Sequence, residues 1–380
     1  MRGRTYIRPI FNLGIGLSVI TASLSGPGSI HAQDQEPDLS HRQTQFDIEV
    51  RQGGAAAAGA TVSLDMTQHD FRFGTSVLSD EFLNDPLRQN SLVEAFSSLT
   101  IINGFHWQFN ERTELGLADE FYEAVQVAND RGVDVRGHAV IYPNNRVWLN
   151  PRELLGPVTY DFDSQTGQRT EIDNSAFHDP EVHTPQFLQQ RIADRIAGVL
   201  ESVDGQNGRP LITEFDATNE LIPRNTQEAF NYFGQQLVDA GLYDSEADVV
   251  ADWYQQMRAA RPDARLVIND YGLINATSNQ AVRDQAARIN EFIAAGAPID
   301  AIGVQAHLTL AVSYEDVNRR INLLSELTGL PVEITEFDNH SGATLTAEEQ
   351  RQNFENVLRA AFENPNVTGF TLWGAYDDTH

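Results

Sequence analysis

Residues Glu214 to Arg224 read EFDATNELIPR, and the rest of the chain is arranged around them. Leu211 and Ile212 just before, with Phe215 and Ala217 inside, mark a buried strand that runs out into Asn219 and Glu220 before Pro223 stops it. An acid at the C-terminal end of such a strand points into the mouth of an α/β barrel, where these folds do their chemistry. The stretch Pro331 to Asp338, PVEITEFD, repeats the pattern: a short apolar strand ending in acids. Glu220 and Glu336, 116 residues apart, are the two strand-end carboxylates that a double-displacement glycosidase needs, one as proton donor and one as nucleophile. That chemistry expects their carboxyl groups about 5–5.5 Å apart, whereas roughly 6.5 Å or more would imply inversion.

Working outward, further strands are expected at Phe71–Val77, Leu99–Phe105, Val133–Tyr142, Ala264–Asp270, Ala301–His307 and Val367–Trp373, which with the two above makes eight. Amphipathic runs at helical spacing lie between them: Leu117–Asn129, Phe187–Val203, Ala247–Ala260, Gln280–Ala295, Tyr314–Leu327 and Ala347–Phe362. Alternating βα units in this number predict a (β/α)8 TIM barrel over residues 71–380 rather than a doubly wound sheet. Residues 33–70 are expected to form a linker and an N-terminal β-hairpin extension, from the alternation in Phe46–Val50 and Ala60–Leu64 about a Gly/Ala turn. The polar insertion Leu155–Pro185 is expected as a surface loop at the barrel mouth. The chain stops just after the eighth strand, so the last helix is missing, and truncation of a longer sequence is the expectation.

Arg2, Arg4 and Arg8, an apolar run from Ile10 to Leu24 and small residues up to Ala32 predict a signal peptide over residues 1–32 and a secreted protein. No later stretch is long and apolar enough to span a bilayer. With no cysteine, an exported chain relies on its core alone. The net charge of −28 argues against nucleic acid and anionic membranes as partners. All 26 basic residues are arginine. That fits either a surface hydrated in salt or a GC-rich genome.

Polar residues collect where a barrel would place its mouth: Asn103, His106 and Trp107 after the second strand, then Arg136, His138 and Tyr142 on the third. Asn219 and Glu220 end the fourth strand, and Asn269, Asp270 and Tyr271 the fifth. Gln305 and His307 lie on the sixth, Glu336 and Asp338 on the seventh, and Trp373 on the eighth. Aromatics with amides and acids around two carboxylates suit a sugar, whose ring faces stack while its hydroxyls take hydrogen bonds. Asp338 is placed to orient His307 toward Glu336. His138 reads equally as a buried structural histidine, and Trp148 equally as core. No H-x-x-H or H-E-x-x-H spacing supports a metal site, and no cofactor is required.

Six ordered segments, VRGHAVIY (135–142), FDATNE (215–220), LVINDYG (266–272), IDAIGVQAH (299–307), EITEFD (333–338) and TLWGAYDD (371–378), resemble the motifs of the glycoside hydrolase family 10 endo-β-1,4-xylanases. The resemblance implies a retaining hydrolase of xylan, with Glu220 as acid/base and Glu336 as nucleophile; a monomer is the expectation for the chain. It also implies that Asn219 binds the sugar 2-hydroxyl, that His307 and Asp338 tune the nucleophile, and that Gln305, His138 and Trp373 line the same subsite. The sequence departs from the family after the second strand: where T-x-E-N-x-x-K-W is usual, Ile102 replaces the glutamate and His106 the lysine, while Asn103 and Trp107 remain. Tyr142 stands for a tryptophan and Pro143 for a histidine. These changes fall on the donor-side pocket and leave open a related glycosidase on another β-linked glycan, or a sugar-binding protein without turnover.

Overall fold

The computed structural model describes residues 37–43, 48–57, 59–62, 70–162, 169–205, 210–222, 231–274, 278–339 and 344–376. The leader segment and Phe46, Leu64, Met66, Pro223, Arg224 and Asp377 lie outside the described residues. Two units divide the chain, Met1–Gln68 and His69–His380. In the first, Arg51–Gln52 pairs antiparallel with Ala55–Ala56 about Gly53 and Gly54, whose φ values of 62° and 85° suit residues without a Cβ. This pairing lies inside the expected arms: residues 48–50 and 60–62 are not strands, and the ribbon is two residues long on each side.

In the second unit, short runs of β-branched and aromatic residues form β1 (Arg72–Leu78), β2 (Ser98–Ile102), β3 (Asp134–Gly137), β4 (Ile212–Asn219), β5 (Arg265–Asp270), β6 (Ala301–Val304), β7 (Val332–Asn339) and β8 (Val367–Leu372). Each pairs parallel with the next. Registers such as Phe370↔Phe73 between β8 and β1, and Ile302↔Val332 between β6 and β7, close the ring. This is a (β/α)8 barrel of the kind expected. Its crossover helices are α1 (Pro86–Ala95), α2 (Leu117–Asp130), α3 (Pro185–Glu201), α4 (Glu246–Ala260), α5 (Asn279–Ala294), α6 (Tyr314–Thr328) and α7 (Ala347–Glu363). Helix α1 was not expected, although Asp85-Pro86 announces it. The Asp85 carboxylate accepts from the N–H groups of Leu87 and Arg88 at 3.0 and 3.1 Å, and Pro86 fills a position that needs no donor.

The insertion is a correction. It is no bare loop: Val158–Phe162 and Arg169–Asp173 pair antiparallel, and Tyr160 bridges to Arg146 in the segment after β3. Alternation of Val158 and Tyr160 with Thr159 and Asp161 was the overlooked strand signal. Helix α3 carries a second tie. The buried Arg195 guanidinium donates to the carbonyls of Val140 (3.1 Å), Ala139 (3.3 Å) and Phe105, fastening the segments after β2 and β3 together. Among the described residues no helix is long and apolar enough to cross a membrane.

Candidate active site

Glu336 lies in the buried part of β7, and donors hold both its oxygens. Asn269 Nδ2 donates to Oε1 at 2.6 Å, His307 Nε2 lies 3.0 Å from Oε2, and His138 Nδ1 lies 3.7 Å from Oε1. Asn269 also donates to Asn219 Oδ1 at 2.8 Å and accepts from Thr335 Oγ1 at 2.7 Å. It fits this close to the wall because position 303 is glycine, where a Cβ would collide with its Oδ1. Gln305 Nε2 reaches Asn219 Oδ1 at 3.3 Å and Glu220 Oε1 at 3.4 Å. A chain of three amides thus joins the two glutamates on one rim.

Glu220 itself sits just past β4 at φ 52°, with its N–H on the Asn269 carbonyl at 2.9 Å. A left-handed non-glycine residue costs of order 1 kcal/mol and persists where surroundings over-determine it, as at active sites. Its carboxylate hydrogen-bonds the buried Tyr142 hydroxyl, and Arg146 Nη2 lies 3.5 Å from Oε2. Burial, with Glu220 beside it, pushes the Tyr142 phenol well above its ordinary pKa, so it stays a neutral donor.

His307 bridges Glu336 and Asp338, with Nδ1 2.9 Å from Asp338 Oδ1. Burial disfavours its charge, but the two acids outweigh that and raise its pKa to about 10. The sign follows: a folded pKa above the ordinary 6.5 adds stability that is complete below pH 6.5 and lost as pH rises toward 10. In thermal melts the lead of the parent protein over His307→Gln should accordingly be constant in mild acid and shrink by several degrees between those limits. A gap that widens with rising pH would contradict the assignment.

Beneath Glu336 the barrel interior is charged. Arg136 holds Asp216 in a bidentate pair at 3.0 and 2.5 Å, and its Nη1 reaches Glu214 at 2.8 Å and Glu333 at 2.7 Å. Arg72 and Arg265 complete the cluster around the two glutamates. Asp216 in turn takes His138 Nδ1 at 2.8 Å. Burial opposes a charge on His138, yet Glu336 and Asp216 together raise its pKa. His138 is therefore not a core histidine satisfied by backbone. It is the link between the charged floor and Glu336. His138, Asp216 and Glu336 each bring a ligand atom within 4.8 Å of the others. Both oxygens of Asp216 are already committed to Arg136 and His138, so the trio reads as a hydrogen-bond relay.

The remaining expected residues divide. Trp373 follows β8 and sets its ring edge against His138 at 5.3 Å and His307 at 6.2 Å. His106 lies 5.6 Å from His138. Its two ring nitrogens are buried and unpartnered, and burial, with His138 and Arg195 nearby, lowers its pKa to about 3. A neutral imidazole therefore stands where the family pattern has an ammonium. Asn103, half-buried at φ 71°, and Tyr271, whose N–H bonds the Asp270 side chain at 2.9 Å, occupy the rim after β2 and β5. Trp107 does not face the carboxylates. It is 2% exposed and donates its indole N–H to Glu111 at 2.6 Å, because it opens the short helix Trp107–Glu111 with its ring turned into the core. Asp216, Arg146 and Arg195 were not singled out. The acids at 214 and 216, two apart on one strand, were the available signal for a charged barrel interior.

Comparison with known proteins agrees with this geometry. Residues 63–380 match the model of glycosyl hydrolase family 10. Among curated relatives, endo-1,4-beta-xylanase C of Paenibacillus barcinonensis is 23% identical over 320 residues, spanning 79% of this chain and 27% of that protein. Endo-1,4-beta-xylanase 3 of Hypocrea jecorina is 24% identical over 312 residues, 80% of this chain and 73% of its own. The chain thus spans about a quarter of the first relative and about three quarters of the second. Among solved structures, an intracellular xylanase from Thermoanaerobacterium saccharolyticum superposes with a TM-score of 0.61 at 20% identity, covering 81% of this chain and 87% of that one. The Paenibacillus barcinonensis family 10 structure gives 0.60 at 22%, with 80% and 84% covered. Since the family model spans the whole barrel and every strand end that carries the site, the chain belongs to glycosyl hydrolase family 10.

Proposed function

We propose that the chain is a retaining endo-β-1,4-xylanase. Glu220 protonates the departing glycosidic oxygen while Glu336 attacks the anomeric carbon; Glu220 then takes a proton from water, which releases the sugar from Glu336. The observation that supports this reading is the amide chain Glu336–Asn269–Asn219–Gln305–Glu220, which links the two carboxylates on one rim. Asn219, its carbonyl oxygen committed to two donors, has its NH2 to offer a sugar hydroxyl. The charged His307 on Oε2 and the Asn269 amide on Oε1 hold the Glu336 carboxylate in one orientation for attack. Xylan is the favoured substrate because the relatives named above are xylanases, and export through the leader segment is part of the same proposal.

A substrate panel tests it: xylan, mixed-linkage glucan and aryl β-xylosides, with Glu220→Gln as control. Xylan should be the preferred polymer. Glu220→Gln should lose roughly 10²–10⁴-fold on xylan, whose leaving group needs the proton, and far less in the first step on an aryl xyloside with an acidic phenol. Equal losses on both would remove Glu220 from the acid role. Preference for the glucan would move the assignment to another β-linked glycan, the reading that Ile102 and His106 keep open.

A further inference from the structure

Arg146 and the ribbon of the 155–185 insertion take no part in the two displacements, yet they are joined to each other and to Glu220. Glu220 is held more loosely than Glu336, whose oxygens have partners at 2.6 and 3.0 Å. Gln305 Nε2 stands 3.4 Å from Glu220 Oε1 and Arg146 Nη2 3.5 Å from Oε2, with the Tyr142 hydroxyl as a further partner. An amide at 3.4 Å is near the limit of a hydrogen bond, but the attraction of a full charge falls only as 1/r. The Arg146 and Glu220 side chains are 23% and 15% exposed, so salt and water screen the pair weakly.

The backbone that carries Arg146 is fixed from both sides. Its own N–H donates to Asn144 Oδ1 at 3.1 Å, and the buried Asn150 amide donates to the carbonyls of Tyr142 and Asn144 at 2.9 and 3.0 Å. The residues flanking it are tied to the ribbon strand Val158–Phe162. Val147 N–H donates to the Tyr160 carbonyl at 3.3 Å, and the Asn145 carbonyl accepts from Tyr160 N–H at 3.2 Å and from the buried Thr159 hydroxyl at 2.7 Å. Asn145 Nδ2 in turn donates to the Val158 carbonyl at 3.2 Å. The guanidinium lies 6.0 Å from the centre of the Tyr142 ring, the same side chain that hydrogen-bonds Glu220. Ion pairs on free loops contribute little because two long side chains lose entropy in holding one geometry, and a braced backbone removes part of that loss.

We propose that Arg146 is a positioning residue for the acid/base Glu220, and that the ribbon of Val158–Phe162 and Arg169–Asp173 is the brace that keeps it there. This assignment rests on the reading of Glu220 as the proton donor and goes beyond it by giving the insertion a part in the reaction. With Gln305 on Oε1 and Arg146 on Oε2, the carboxyl group keeps one orientation. Without the charge on Oε2 it swings, and a misplacement of about 1 Å can cost up to about 10²-fold in rate.

The test is kcat/KM of the full chain on xylan and on a dinitrophenyl β-xyloside, since this ratio reports the steps up to departure of the leaving group. Arg146→Met should lower it about five- to twentyfold on xylan, a share of the roughly 10²–10⁴-fold that a general acid contributes. On the aryl xyloside the change should stay below about twofold, because dinitrophenolate leaves without a proton, and that retained activity shows the variant folded. Arg146→Lys, which keeps the charge, should recover the larger part. Thr159→Val, which keeps the shape but loses the tie to Asn145, should give the same split in weaker form. Equal losses on both substrates, or no loss on xylan, would overturn positioning by Arg146, and an unchanged Thr159→Val would overturn the brace. If the parent cleaves neither substrate, the glycosidase reading fails, and crystal structures of the parent and Arg146→Met decide the positioning by themselves. A single Glu220 rotamer in the parent and several in the variant would sustain it; the same single rotamer in both would overturn it.

Discussion

Glu336→Ala should lower turnover on xylan by roughly 10⁴-fold or more, with the fold intact, and azide should restore part of it as a product of inverted configuration. The size follows from the role proposed for the residue: among the described residues no other carboxylate is held by Asn269, His307 and His138 together. Shortening the side chain leaves a gap that a small anion fills, and the anion attacks from the side Glu336 vacated. Because the covalent intermediate is bypassed, only one inversion takes place. Circular dichroism shows whether the protein is folded. A folded variant with no azide rescue would count against Glu336 as nucleophile.

Arg136→Met should be the most damaging substitution away from the two glutamates, costing about 3–5 kcal/mol, the range for removing one partner of a buried ionic cluster. Glu214 and Glu333 would keep Arg72 and Arg265, but Asp216 would lose both bonds from Arg136 and, among the described residues, keep the ion pair with His138. Burial by itself would raise the Asp216 pKa; Arg136, with His138, outweighs it and holds the acid below its usual range. Without Arg136 the balance reverses. The melting temperature should fall by roughly 10 °C in a scan at neutral pH. Arg319→Met, which breaks only an exposed pair with Asp316, should stay within about 0.5 kcal/mol of the parent. A loss no larger for Arg136 than for Arg319 would show the charged floor to be dispensable.

Much of this architecture was legible in the residues. The alternation of β-branched runs with helical spacing gave all eight strands; Glu220 follows the last residue of β4, and Glu336 lies three residues before the end of β7. The floor of the barrel was harder to read. Glu214, Asp216 and Glu333 sit among apolar neighbours and look like solvated acids until closure of the ring brings Arg72, Arg136 and Arg265 from three distant strands onto them. A strand's period shows which face a residue takes, but not which strands share that face. Trp107 misled for a related reason: motif position put it beside the sugar, while its place at the start of a helix turned its ring toward Phe233, 6.2 Å away. Arg146 was invisible because its position depends on the paired strands Val158–Phe162 and Arg169–Asp173, in which the Tyr160 carbonyl accepts from Val147 N–H at 3.3 Å.

The convergence of Glu220 and Glu336 on one anomeric carbon is tested most directly by following xylohexaose cleavage by proton NMR in the first minutes, before the released sugar mutarotates. Two successive displacements at one carbon require the β-anomer to form first. Early α-anomer would mean a single displacement by water, a separation too wide for Glu336 to reach the sugar, and an end to the mechanism described above.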